Sequence, residues 1–130
     1  MYLVDTSVLI DFLAGRATPQ SDRLEEIILQ KIPFGISALT FQETLQGARD
    51  RYEYDRLHRY LSTQKIYYPT PASYPSAARI FFDCRKAGIT IRSTIDALIA
   101  ATAIENDLIL LTRDRDFVFM TKVVELMVER

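Results

Sequence analysis

Residues 2–13, YLVDTSVLIDFL, decide the fold, because a short apolar strand gives way there to a helix. Tyr2 to Val4 is a β-favouring run, and Asp5-Thr6-Ser7 directly after it is both a turn signal and a helix start. The pattern then predicts a helix from Val8 to Leu13. The strand therefore ends at an acidic residue that sits at the beginning of a helix.

The same alternation of strands and helices runs along the rest of the chain. Strands are predicted at Phe34 to Ser37, Lys65 to Tyr68, Leu108 to Leu111 and Val123 to Val128, and helices at Ser21 to Lys31, Leu39 to Ala48, Tyr52 to Thr63, Ser73 to Ala87 and Thr94 to Asn106. Alternating elements of this kind favour a mostly parallel sheet with helices on both faces. We therefore predict one α/β domain over residues 1–130, a three-layer α/β/α sandwich.

Composition fits an ordinary soluble globular protein. The chain has 130 residues, of which 48% are hydrophobic and 25% are charged, which is typical of one folded domain. No stretch approaches the roughly 18 to 20 uninterrupted apolar residues that a membrane span needs. The N-terminus has neither a basic lead nor a small-residue cleavage site, so we expect no signal peptide and a cytoplasmic protein.

Several classes of active site are excluded by what the sequence lacks. Cys84 is the only cysteine and His58 the only histidine, so a disulfide framework, a thiolate zinc cluster and a Ser/His/Asp or Cys/His site each lack parts within one chain. Carboxylates remain as the candidate catalytic groups. Because the net charge is −1, attraction to a nucleic acid would have to come from a bound metal or from local Lys and Arg clusters.

Four carboxylates fall in segments that are expected to meet at one rim of the sheet. Asp5 ends the first strand, Asp114 follows the Leu108 to Leu111 strand, and Glu43 and Asp96 lie near the starts of helices. In an open parallel sheet, ligands bind outside the carboxyl ends of the strands. The four acids are therefore predicted to converge.

Each of these acids also has a simpler interpretation. Thr40-x-x-Glu43 and Ser93-x-x-Asp96 both match the capping box, and the other two acids suit a helix cap and a turn. Capping boxes are common, so any one of these assignments is reasonable. The capping and turn assignments are less convincing for all four acids together, because four independent caps need not fall in segments that share one rim.

The chemistry gives a reason for gathering acids. Two carboxylates about 4 Å apart repel by roughly 4 kcal/mol at an effective dielectric near 20, so several remain ionised together only beside a cation. Oxygen ligands without His or Cys favour Mg²⁺ or Mn²⁺ over zinc. Such ions activate water and hold phosphate oxygens, which points to phosphodiester hydrolysis.

Four sequence segments, which occur in a characteristic order along the chain, make the interpretation more specific. They are LVDTSVLI (residues 3–10), the stretch from Ile36-Ser37 to Glu43, DALIAATA (residues 96–103) and LLTRDRDF (residues 110–117). Together they resemble a PIN domain, and within that family the VapC type of toxin from prokaryotic toxin-antitoxin pairs. The resemblance spans nearly the whole chain.

The resemblance implies a site, an activity and partners. The implied metal site consists of Asp5, Glu43, Asp96 and Asp114, with Thr6 and Thr112 as polar neighbours. The implied activity is that of a Mg²⁺- or Mn²⁺-dependent endoribonuclease, in a homodimer inhibited by a cognate VapB-type antitoxin. Asp114 is preferred as the fourth acid because it comes directly after the strand and Thr112, and Asp116 is kept as a supporting residue or substitute ligand.

Two further sets of residues are assigned to substrate and partner. Arg92 and Arg113 flank the acids and are candidate RNA phosphate contacts. The helix from Val8 to Leu13 and the helices between Ser21 and Thr63 are the expected walls of an antitoxin groove. The alternatives are a DNase or other metal-dependent phosphohydrolase and a non-catalytic protein-binding domain. A phosphate-accepting receiver domain is less favoured, because no acidic pair precedes the first strand.

Overall fold

The computed structural model describes residues 1–130, and its centre is a sheet of five parallel strands. The strands are β1 (Tyr2–Val4), β2 (Phe34–Ser37), β3 (Ile66–Tyr67), β4 (Ile109–Leu111) and β5 (Met127–Glu129). Their order in the sheet is β3-β2-β1-β4-β5, and every neighbouring pair is parallel. The first strand of the chain is therefore the middle strand of the sheet.

Helices cover both faces of this sheet. They are α1 (Thr6–Leu13), α2 (Pro19–Leu29), α3 (Ala38–Gln46), α4 (Arg51–Leu61), α5 (Ser73–Lys86), α6 (Thr94–Glu105) and α7 (Arg115–Met120). One buried apolar cluster joins Leu3 and Leu110 to α5, α6 and α7, and a second joins Val4 and Leu111 to α1 and α2. Adjacent strand residues thus face opposite layers, which confirms the predicted three-layer α/β/α sandwich. None of the seven helices combines the length and apolar character that crossing a membrane requires.

The pairing of β1 with β4 places the polar residues that follow these strands at one rim of the sheet. Leu3 pairs with Leu110 and Val4 with Leu111, and the Asp5 amide continues the ladder by donating to the Leu111 carbonyl at 2.9 Å. Both strands therefore end at the same level. The next residues, Asp5 and Thr112, emerge side by side.

The C-terminal region differs from the sequence prediction. The predicted strand from Val123 to Val128 is wrong in its first part, because β5 begins only at Met127. The amides of Val123 and Val124 donate to the Met120 carbonyl at 3.0 and 2.9 Å, so they close the end of α7 and are not available to a sheet. The six-residue α7 was not predicted, since it is too short to show helical periodicity.

Gly35 in β2 lies where no larger residue fits. A Cβ there would come within 2.6 Å of the Tyr67 ring and 2.7 Å of the Lys65 carbonyl oxygen. That carbonyl also accepts a hydrogen bond from the Ile36 amide at 2.9 Å, so it cannot withdraw without weakening the β2–β3 pair.

We expect Gly35→Ala to lower the free energy of unfolding by about 1 to 3 kcal/mol through overpacking. The measurement is the shift of the urea midpoint. Gly47→Ala is the matched control, because a Cβ at Gly47 meets nothing closer than 3.5 Å. Equal midpoints for the two variants would contradict the packing argument.

Candidate active site

One buried hydroxyl connects the ends of the two central strands. Thr112 is fully buried, and its Oγ1 donates to Oδ2 of Asp5 at 2.9 Å while accepting from the Asp114 amide at 2.9 Å. Ser7 donates to the same Asp5 oxygen at 2.8 Å. Asp5 is thus held in one orientation, and the turn that carries Asp114 is tied to it.

Three carboxylates approach one another beside this connection. Asp96 lies in the first turn of α6, and Asp114 and Asp116 lie at the start of α7. One oxygen from each lies within 4.8 Å of the others. Two helix starts therefore bring acids from separate parts of the chain to one place.

Glu43 reaches the same rim from α3. Oγ1 of Thr6 donates to Oε1 of Glu43 at 2.8 Å and lies 3.0 Å from the Thr40 hydroxyl. Because Thr6 directly follows Asp5, this bond brings the α3 carboxylate next to the end of β1. Each of the two threonines singled out in the sequence thus contacts one of the four predicted acids.

The capping interpretations of these acids have mixed outcomes. Asp5 makes no side-chain cap bond, and α3 is capped by Ser37, which excludes the capping box proposed around Glu43. Ser93 does cap α6. Asp114 caps α7 by accepting from the Asp116 amide at 2.9 Å, so this residue is both a cap and a member of the acidic cluster.

The carboxylates at this rim influence one another electrostatically. Burial raises the pKa of Asp96 to about 7, and the negative charges of Asp5, Asp114, Asp116 and Glu43 add to the effect. Burial also raises the pKa of Asp5, against the lowering effect of the Ser7 and Thr112 hydrogen bonds. Full ionisation of this cluster at neutral pH therefore requires a nearby cation.

The two arginines expected near the acids have different positions. Arg92 lies at the cluster, where its Nε donates to Oδ2 of Asp116 at 3.0 Å. Arg113 instead donates to Asp11 in α1, whose other oxygen accepts from Arg16 at 2.9 Å. Asp11 is buried, and each of its carboxylate oxygens accepts a hydrogen bond from one of these two arginines. Nothing in the local sequence signals a pairing between residues so far apart in the chain.

A separate groove of about 1060 Å³ opens between α1, the end of α3 and α4. Its apolar wall includes Ile10, Leu13 and Leu57, and its basic residues are Arg16, Arg49, Arg56 and Arg59. Thr44 also lines it, and the buried Oγ1 of this residue has no hydrogen-bond partner. The groove therefore combines apolar residues with four arginines and with Glu53, which pairs with Arg49, and one buried hydroxyl is left unsatisfied.

Comparison with known proteins gives consistent results. The PIN domain family model matches residues 2–122. Ribonuclease VapC11 of Mycobacterium tuberculosis is 26% identical over 128 residues, covering 97% of this chain and 96% of its own. The crystal structure of FitAcB from Neisseria gonorrhoeae has a TM-score of 0.78 at 23% identity, over 100% of this chain and 97% of that one. A toxin-antitoxin complex from Klebsiella pneumoniae has a TM-score of 0.72 at 26% identity, over 95% and 96%.

The acidic cluster predicts how stability depends on pH when no divalent cation is present. The pKa of Asp96 rises from 3.8 in the unfolded chain to about 7 in the folded protein, so between these values the folded state holds a proton that the unfolded chain has released. The stabilisation that comes from this protonation is complete below the pKa of the unfolded state and is lost as the pH rises through the pKa of the folded state.

We expect the free energy of unfolding in EDTA to fall by about 1 to 2 kcal/mol from about pH 5 to about pH 8, after allowance for solvent screening. Asp96→Asn removes this titration and should make the decrease smaller, although the raised pKa of Asp5 leaves part of it. Urea unfolding at a series of pH values measures both. The exposed Asp22 provides the control Asp22→Asn, and equal slopes in all three proteins would contradict the prediction.

Proposed function

Because the chain belongs to the PIN domain family, we propose that it is a metal-dependent endoribonuclease and the toxin of a VapBC-type toxin-antitoxin pair. The observation that carries the proposal is that Asp96 lies close enough to four other carboxylates for each to raise its pKa. Such a cluster is poorly suited to a purely structural role, because its members repel one another. The relatives named VapC11 are ribonucleases by name.

The donor atoms at this rim fit a hard divalent cation. Carboxylate and hydroxyl oxygens line the rim, and the single cysteine is buried in the core, so the donor set would favour Mg²⁺ or Mn²⁺. Asp5, Asp96 and Asp114 are proposed to hold the ion, with Glu43 as the fourth acid. When bound, such an ion activates water for attack and neutralises charge on the phosphate.

The contacts of each acid suggest its role in hydrolysis. Asp5 is fixed by Thr112 and Ser7, so its orientation does not have to be created when the ion binds. With a pKa of about 7, Asp96 is partly protonated at neutral pH in the free protein, and it would have to release this proton to act as a ligand. Glu43 uses Oε1 for Thr6, which leaves Oε2 to accept a hydrogen bond from the attacking water.

The proposal predicts that a labelled single-stranded RNA is cleaved in the presence of Mg²⁺ or Mn²⁺ and that EDTA abolishes the reaction. Asp5→Asn should lower the rate at least about 10²-fold, because it removes a charged ligand. Asp22→Asn, on the exposed side of α2, should keep the wild-type rate. Gel separation of the products measures all of these.

Two outcomes of this assay favour other functions. Equal cleavage of a DNA of the same sequence would indicate a nuclease that does not distinguish ribose from deoxyribose. If the protein neither binds nor cleaves RNA or DNA when the metal is present, the result would favour a protein-binding domain.

The partner proposed for the groove is the apolar segment of a VapB-type antitoxin. The Klebsiella pneumoniae structure is a toxin-antitoxin complex by its own description. The groove offers exposed Leu13 and Ile10 for apolar contact. A homodimer is proposed as well, and Phe82, exposed on α5, is a candidate contact between its subunits.

We expect Leu13→Asp to weaken binding of the protein encoded by the adjacent reading frame at least about 10-fold, because it puts a charge into the apolar wall. Leu29→Asp is the matched control, since Leu29 is 74% exposed and lies outside the groove. Calorimetry with the copurified partner gives the affinities. Equal weakening by both substitutions would exclude the groove as the docking site.

A further inference from the structure

Arg92 and Asp116 form a two-point ion pair at the edge of the acidic cluster. Nε of Arg92 donates to Oδ2 of Asp116 at 3.0 Å, and Nη2 donates to Oδ1 at 3.2 Å. The Asp116 side chain is 7% exposed, whereas that of Arg92 is 74% exposed. A nearly buried carboxylate therefore holds a guanidinium that faces solvent.

Asp116 is itself firmly placed. Its amide donates to Asp114 at 2.9 Å, and the next residue, Phe117, is fully buried in the core. Because the start of α7 is fixed from both sides, the guanidinium is fixed as well. An arginine held in this way loses little further rotamer freedom when it binds a ligand.

The pair leaves three of the five guanidinium N–H groups unused. Nη2 lies 3.6 Å from Oδ1 of Asp114, which is beyond a direct hydrogen bond. The remaining donors are thus presented to solvent beside Asp114 and near Asp96. A planar set of free donors suits two-point recognition of phosphate oxygens.

The same pair makes Asp116 a poor metal ligand. Although an Asp116 oxygen lies within 4.8 Å of oxygens of Asp96 and Asp114, both oxygens of Asp116 already accept from Arg92, and the negative charge is balanced. Oδ2 of Asp114 carries no such bond. Proximity alone therefore does not place Asp116 among the ligands.

We propose that Arg92 binds a phosphate of the substrate next to the scissile bond, and that Asp116 is the positioning residue that aims Arg92. The inference rests on the proposed ribonuclease function and deepens it, because it assigns the cation that holds the polyanion in a chain whose net charge is −1. It also separates the roles of Asp114 and Asp116, which the sequence leaves open.

The test measures metal binding and RNA hydrolysis separately. Arg92→Ala and Asp116→Asn should each leave the Kd for Mn²⁺, measured by calorimetry without RNA, within about 3-fold of wild type, and should lower kcat/KM on a short RNA by about 10²-fold. Asp114→Asn, as the comparison, should weaken Mn²⁺ binding at least about 10-fold. Arg92→Lys keeps the charge but loses the two-point geometry, so it should recover only part of the activity.

A double variant tests whether Asp116 acts through Arg92. In the Arg92→Ala background, Asp116→Asn should cause no further loss of kcat/KM, because the residue that it aims is gone. RNA binding by fluorescence anisotropy, in an Asp5→Asn background that prevents cleavage, should lose about one unit of salt dependence with Arg92→Ala. A merely structural ion pair would leave that slope unchanged.

The inference is overturned if Asp116→Asn weakens Mn²⁺ binding as much as Asp114→Asn does, since Asp116 would then be a ligand. It is also overturned if Arg92→Ala keeps the wild-type kcat/KM and salt dependence. A wild-type protein that cleaves no RNA would instead overturn the proposed function, whereas active wild type with equally active Arg92→Ala would overturn this inference alone.

Discussion

The hydrogen bond from Thr112 to Asp5 is the contact on which the site depends. It joins the end of β1, the middle strand of the sheet, to that of its neighbour β4, and the same hydroxyl accepts from the Asp114 amide. A buried carboxylate without donors is costly, and Asp5 is only 6% exposed. The parallel register of the two strands brings Thr112 to it, so the geometry of the sheet is what makes a buried acid tolerable at this position.

The acids around this contact destabilise the folded protein, because they repel one another when they are ionised. Burial and four neighbouring carboxylates raise the pKa of Asp96 to about 7, which means that the fold gathers charges that favour separation. The hydroxyls of Thr6, Ser7 and Thr112 offset part of this cost by donating to Glu43 and Asp5. Arg92 offsets another part at Asp116. What remains is a deficit of positive charge at one rim, which is typical of a functional site and unusual in a structural one.

The sequence predicted the features that follow from periodicity and from strand ends. The parallel sheet was predicted because strands and helices alternate, and the meeting of the acids was expected because Asp5 and Asp114 each follow a strand of that parallel sheet. Features that depend on contacts between distant residues were not predictable: the pairing of Arg113 with Asp11, and the closing of α7 by the Val123 and Val124 amides. The sequence left Asp114 open as a turn residue or a member of the acidic cluster. In the structure it lies in the cluster and caps α7, since a residue that begins a helix at a strand end can accept one amide and keep an oxygen free.

The groove and the acidic rim share two helices. α1 carries Thr6 at its first turn and Leu13 at its last, and in α3 the adjacent residues Glu43 and Thr44 belong to the rim and to the groove, respectively. The Glu43 carboxylate accepts a hydrogen bond from Thr6 of α1 at 2.8 Å, and the same Thr6 hydroxyl lies 3.0 Å from the hydroxyl of Thr40 in α3. The relative placement of α1 and α3 therefore determines where this carboxylate lies. A partner in the proposed groove would contact both of the helices whose hydrogen bond positions Glu43.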